Sequence, residues 1–156
     1  MQQATFGAGC FWGVQYKFDQ IKGVKKTTVG YMGGRTKNPS YEQVCTDKTG
    51  HAEVVHIEFE QNTVSYKELL DLFWNIHDPT QKNRQGPDIG SQYRSVIFYH
   101  NPEQKEEAEK QKKKLEESTR LKNSIATEIA PASQFYPAEE YHQKYFEKHG
   151  AKNCPI

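Results

Sequence analysis

Three observations in the sequence predict an α+β fold with a ferredoxin-like βαββαβ core. Strand-like and helix-like patterns follow one another in that order along residues 4–99. Residues 53–60 (EVVHIEFE) alternate with a period of two. Glu53, Val55, Ile57 and Phe59 share one face, and Val54, His56, Glu58 and Glu60 the other, as in a strand with one buried side. Ser65 and Glu68 stand at capping-box spacing ahead of an apolar run, which marks a helix start. The βαββαβ order places its helices on one face of a mainly antiparallel sheet. A further C-terminal strand and helix and two long loops lie outside that core.

In chain order, residues 4–7 form a short strand that runs into glycines. Phe11, Val14, Phe18 and Ile21 recur at helical spacing, so a helix opens near Cys10 and stops at Gly23. Residues 24–31 are rich in β-branched side chains and read as a strand. Residues 32–50 contain Gly33, Gly34, Asn38, Pro39 and Gly50 and form a loop of a length associated with function. After the strand at 53–60, a helix carries Leu69, Leu70, Phe73, Trp74 and Ile76, and Asp78-Pro79 closes it. A second long loop, TQKNRQGPDIGSQ, spans 80–92, followed by a strand at 93–99. Asn101-Pro102 caps a charged helix at 103–118 whose alternating signs fit a solvated face. Residues 124–129 read as an edge strand. Pro137 opens a last helix that Gly150 ends, leaving the tail AKNCPI.

A length of 156 residues suits one domain over 1–156, with 150–156 as a flexible tail. Hydrophobic residues make up 35% and aromatic residues 12%, enough for a packed core. A formal charge of +1 gives no field to attract nucleic acid or an anionic membrane. The start, MQQATFGAG, has neither a basic region nor a long apolar run, so a cytoplasmic monomer is expected. Cys10, Cys45 and Cys154 form no C-x-x-C pair, and the histidines show no H-E-x-x-H spacing, so no metal site is expected.

Cys10 lies where a strand turns into a helix, between Gly9 and Gly13. Orphan N–H groups and the dipole at a helix start favour an anion, and a thiolate is the nucleophilic form of cysteine. The alternative is a buried structural cysteine. Phe11 fits the apolar stripe of its helix, whereas Trp12 stands off it; together they could line a small apolar pocket. Glu53 shares the buried face of its strand, where burial raises a carboxyl's pKa and keeps a proton available for donation. The alternative is a strand-end residue that reaches solvent. Tyr41, Asp88 and Tyr93 stand in the long loops, and Tyr31 ends a strand; each could serve a polar substrate or simply order a turn. Cys154 is either a stray thiol or a resolving cysteine carried on the tail. Cys45 has no neighbour that stabilises a thiolate.

GCFWG at 9–13, GYMGG at 30–34, TGHAEVV at 49–55 and GPDIGSQYRS at 86–95 resemble the A-type peptide methionine sulfoxide reductases, with similarity from Phe6 to about His149. The resemblance implies that Cys10 attacks the sulfoxide sulfur and that Phe11 and Trp12 accept the methyl group. It implies that Glu53 protonates the oxygen, that Tyr41 and Tyr93 bond it, and that Asp88 orders the site. It further implies action on the S epimer, in free or peptide-bound methionine sulfoxide, with no metal or organic cofactor. Cys10 would become a sulfenic acid and then a disulfide, which thioredoxin or another dithiol reduces. Some relatives carry two C-terminal cysteines; here only Cys154 is available, so a Cys10–Cys154 disulfide is the expected oxidised form. Two rival readings remain. One is an acyl-transfer enzyme pairing Cys10 with His51 or His77; the other is a non-catalytic interaction domain with GCFWG as packing.

Overall fold

The computed structural model of the chain describes residues 1–118 and 124–149. Its centre is a six-stranded sheet. β1 (Gln2–Ala8), β2 (Val24–Met32), β3 (Ala52–Phe59) and β6 (Ser95–Tyr99) make the inner part, in the order β6-β1-β3-β2 and antiparallel throughout. That is the arrangement the βαββαβ reading requires. α1 (Phe11–Asp19) and α3 (Tyr66–Asn75) follow β1 and β3 and pack on one face of the sheet. α4 (Pro102–Glu117) packs there too, through Ala108 and Leu115. Phe6 of β1 is the hinge of this layer, with ring centroids 5.4 Å from Phe18 of α1 and 5.2 Å from Phe73 of α3. Met32, Ala52, Val54, Val96 and Phe98 form the opposite face, against Ala130, Ala132 and Phe135. No helix among the described residues is long and apolar enough to cross a membrane.

The capping signals form as their sequences predict. Ser65 accepts from the Glu68 amide at 3.1 Å, with the Glu68 side chain bonded back to the Ser65 amide. Asn101 accepts from the Gln104 amide at 2.9 Å ahead of α4. The long loops, by contrast, are structured. A second capping box, Ser40 with Gln43, opens α2 (Tyr41–Cys45) inside the first loop. The second folds into a hairpin of β4 (Arg84–Gln85) and β5 (Asp88–Ile89). It then forms a 3₁₀ turn over Ser91–Tyr93, so Tyr93 precedes the strand that the sequence assigns to it. The Ser91 amide donates to Asp47 at 3.0 Å and ties the two loops together.

The C-terminal third departs most from expectation. The edge strand is β7 (Glu128–Pro131), later than residues 124–129, and it runs parallel to β6 through the α4 crossover. Pro137 lies in β8 (Tyr136–Pro137), which pairs with β2, instead of opening a helix. The expected single helix is a 3₁₀ turn at Glu140–His142 and then α5 (Tyr145–His149). The break has a local cause. Lys144 takes a left-handed φ of 56°, which ends helical propagation. Polar side chains around it bind other elements. Gln143 accepts from the Val29 amide at 3.0 Å and donates to the Val29 and Ala138 carbonyls at 2.9 and 3.1 Å. Lys144 donates to Asp19 at 2.7 Å and to Thr27 at 2.9 Å. Gly150 and the tail with Cys154 lie outside the described residues.

These bonds make Gln143 the staple of the C-terminal segment. Gln143→Ala removes three hydrogen bonds and leaves β2 backbone groups without that partner. The expected loss is about 2 kcal/mol, or a fall in Tm of roughly 4–8 °C. Differential scanning calorimetry checks it, and a fall under 1 °C would show that the segment is held by other contacts.

Candidate active site

β1 ends at Ala8, and the chain reverses at Gly9, where φ is 97°. A Cβ there would stand 2.9 Å from the side chain of Gln85, so the turn needs glycine twice over. Gln85 in turn donates to the Asp78 carbonyl and accepts from its amide, both at 2.9 Å, which fixes the hairpin beside the turn. Cys10 follows as the N-cap of α1. Its sulfur therefore lies at the positive end of the helix, with no acidic residue in the first turn. The residue is 8% exposed and packs with Phe146, Trp12, Tyr16 and Tyr145.

Glu53 comes up beneath that helix start from β3, opposite Tyr31 of β2. The period-two register turns its side chain inward, and it is 1% exposed. Oε1 accepts from the Phe11 amide at 3.3 Å, one of the orphan donors of the first turn of α1. Oε2 is buried and bonds no protein group among the described residues. Burial raises the Glu53 pKa well above its ordinary range, and the charges of Cys10 and Asp88 push the same way; the Phe11 bond only partly offsets them. This carboxyl keeps its proton to higher pH than an exposed glutamate does.

Around this pair stands an aromatic wall. The Phe11 ring lies 5.8 Å from Tyr31, 6.4 Å from Tyr41 and 5.3 Å from His142. Trp12 stacks on Tyr145 at 3.9 Å and donates its indole N–H to His142 Nδ1 at 2.9 Å. An indole can only donate, so Nδ1 is bare and the His142 proton sits on Nε2. His142 is 1% exposed, and burial lowers its pKa against the pull of Glu139 and Glu42. Its Nε2 bonds no group among the described residues.

Tyr41 heads α2 and Tyr93 ends the 3₁₀ turn, each half-buried. Burial raises both hydroxyl pKa values, and the Glu53 charge adds to each. Tyr93 also feels Cys45, Asp88 and Cys10. Burial raises the pKa of Asp88 on β5, and its Oδ2 is another buried atom without a partner among the described residues. The fold thus gathers Cys10, Phe11, Trp12, Glu53, Tyr41, Asp88 and Tyr93 at one place. Cys45 lies at the rim, exposed, its thiol raised by burial despite a bond from the Tyr41 hydroxyl. Cys154 lies outside the described residues.

His51 and His77 point elsewhere. His51 accepts from the Gly34 amide at 3.0 Å and pairs with the Thr36 carbonyl at 2.7 Å. His77 is bound by the Phe73 carbonyl and Ser95, both at 2.7 Å, and burial pushes its pKa down to about 4. Neither is oriented as a base for Cys10. Sequence reasoning also missed His142, Tyr145, Phe146 and Glu139. Tyr145 and Phe146 were visible as aromatics in a helical pattern, but nothing local marked His142 as buried.

The comparisons with known proteins agree with this geometry. Residues 2–156 match the family described as peptide methionine sulfoxide reductase. A peptide methionine sulfoxide reductase MsrA of Methanosarcina acetivorans is 62% identical over 150 residues, which is 96% of this chain and 80% of that protein. The reduced form of Mxr1 from Saccharomyces cerevisiae superposes with a TM-score of 0.91 at 37% identity, over 99% of this chain and 89% of its own. The same yeast protein in complex with Trx2 superposes at 0.65 and 26% identity, over 92% and 84%.

A raised carboxyl pKa costs stability at neutral pH. In the unfolded chain Glu53 ionises near its ordinary value of 4.5, while the folded protein keeps it protonated to higher pH. The contribution of Glu53 to stability is therefore fully present below the unfolded value and lost as pH rises through the folded one. Glu53→Gln keeps the shape and removes the ionisation. Its Tm should match wild type near pH 4 and exceed it by a margin that widens toward about pH 8. A margin that is flat or closes with pH would contradict the burial.

Proposed function

The chain belongs to the peptide methionine sulfoxide reductase family, and from that membership we propose that it reduces the S epimer of methionine sulfoxide, free or in peptides, through a sulfenic acid and then a disulfide. One observation carries the chemistry: a buried carboxyl, kept protonated, directly under the helix start that carries Cys10. Sulfoxide sulfur resists nucleophiles until its oxygen is protonated or strongly hydrogen-bonded. A thiolate alone would not suffice, and neither would an acid alone.

Cys10 and Glu53 answer one another electrostatically. Two negative charges in this low-dielectric spot oppose each other, and a charge on Cys10 pushes the Glu53 pKa further up. With the proton on Glu53 and the charge on sulfur, the pair holds both reagents that the first step needs. The thiolate attacks sulfur while Glu53 passes its proton to oxygen, aided by the Tyr41 and Tyr93 hydroxyls. Collapse transfers the oxygen to Cys10, leaving methionine and Cys10 as a sulfenic acid. Phe11 and Trp12 hold the methyl group. Fixing methyl, oxygen and line of attack independently discriminates between the epimers at sulfur, and we assign the S epimer. The chemistry uses the chain's own groups and an external dithiol, with no resident cofactor.

A second thiol then displaces water from the sulfenic acid to form a disulfide. We assign it to Cys154. α5 supports this, because Phe146 packs on Cys10 and Tyr145 stacks between Trp12 and His149. Cys154 follows His149 by five residues, a length of chain that can span up to ~17 Å. Thioredoxin is the proposed reductant, since the yeast relative has been seen in complex with Trx2.

Incubation with each methionine sulfoxide epimer and dithiothreitol tests the activity. Methionine is expected from the S epimer, none with Cys10→Ser, and ~10²-fold less per turnover with Glu53→Gln. Release from the R epimer alone, or an unchanged Glu53→Gln rate, would defeat the mechanism. Intact mass after one turnover without reductant tests the disulfide. Wild type should lose two hydrogens and Cys154→Ser should keep one added oxygen. A Cys154→Ser protein that still loses two hydrogens would move the resolving role to Cys45.

A further inference from the structure

We propose that the Glu139 carboxylate is a positioning residue that fixes Tyr41 against the sulfoxide oxygen, an inference that rests on the reductase reading. Glu139 lies between β8 and the 3₁₀ turn that carries His142. Its two oxygens are used separately. Oε1 accepts from the Tyr31 hydroxyl at 3.1 Å, and Oε2 accepts from the Tyr41 amide at 3.0 Å. Tyr31 is fully buried, with its ring on Phe11, so it is a fixed post. One carboxylate thereby joins β2, the start of α2 and the C-terminal segment within a single pair of bonds.

Tyr41 needs such a tie. α2 has five residues inside a long loop, too few to be stable as a helix by themselves. The Ser40–Gln43 capping box shapes its backbone but binds it to nothing outside the loop. The Tyr41 amide is an orphan donor of the first turn, and Glu139 satisfies it from across the site. The bonds from the Tyr41 amide and Tyr31 hydroxyl, with that of its own amide, hold the Glu139 pKa below the usual carboxylate range although burial opposes them. The group is thus an anion at neutral pH. Glutamine cannot replace it, because one amide oxygen serves one donor and the NH₂ group meets the other.

The test is a double-mutant cycle of Glu139→Gln and Tyr41→Phe, read by single-turnover methionine release. Each single variant should slow the step ~10-fold, as a sub-ångström displacement of a reacting group does, with substrate affinity changed less than about 3-fold. The double variant should be no more than ~2-fold slower than the slower single one, because both remove the same hydroxyl contact. Rates that multiply, or a Glu139→Gln protein with wild-type rate, would overturn the proposal. A second measurement uses the wild type. The Tyr41 amide resonance should titrate with a midpoint below the ordinary glutamate range, and its failure to titrate would overturn the contact even if Glu139→Gln does not fold. A wild-type protein that releases no methionine defeats the reductase reading, and the positioning role with it. The Tyr41 titration distinguishes that failure from loss of the Glu139 contact.

Discussion

The structure turns on one buried hydrogen bond, from the Phe11 amide to Glu53. A carboxyl taken out of water costs several kcal/mol as an anion, so a fold keeps one inside only where its neutral form is held. Here burial favours the neutral form, and the Phe11 bond, which favours the anion, offsets it only in part while joining two elements the βαββαβ order makes adjacent, the start of α1 and the second residue of β3. The same contact sets the relation of Glu53 to Cys10, because Phe11 is the residue after Cys10. The turn at Gly9, the packing of Gln85 on it and the register of β3 against β2 all maintain that single relation.

Polar atoms without protein partners concentrate in the same region. Glu53 Oε2, Asp88 Oδ2 and His142 Nε2 are three of the five such atoms among the described residues. Each lowers stability as it stands, and each is a group that a polar substrate can satisfy. The remainder of the core shows the opposite character, with Phe6, Phe18 and Phe73 in a closely packed aromatic layer. The stable part of the molecule and the reactive part thus meet at the end of β1, within a few residues of each other along the chain.

The parts legible in the sequence were those set by local periodicity. Alternation over 53–60 places Glu53 inward, and the glycines about Cys10 mark the strand-to-helix turn, though not the Phe146 ring that covers the sulfur. The Ser65 and Asn101 caps mark the two helix starts, with α4 opening at Pro102, one residue ahead of the expected 103. What stayed hidden depends on contacts far apart in sequence. His142 has no local sign of burial; the Trp12 indole and Tyr41 ring enclose it. Residues 137–149 have a helical pattern, yet Gln143 and Lys144 spend their side chains on β2 and α1, and the helix breaks there. Tyr93 falls before β6 because Ser91 is fastened to Asp47 on the other loop. In each case a tertiary bond outweighed a local preference of a few tenths of a kcal/mol per residue.

The C-terminal segment therefore has two tasks that pull against one another. It must be fixed, since Glu139 supports Tyr41, His142 receives Trp12 and Phe146 covers Cys10. Under the proposed cycle it must also deliver a second thiol to that covered sulfur. The bonds separate the tasks along the chain. Residues 138–144 are stitched to β2 and α1 by backbone, amide and ammonium bonds. α5 beyond them is held by the stacking of Tyr145 on Trp12 and by Phe146 packed beside Cys10. Stacked rings separate at smaller cost than a network of buried polar bonds. Under the proposed cycle, Glu139 and His142 would keep Tyr41 and Trp12 in register, because the polar bonds of this segment end at Lys144, before α5 begins.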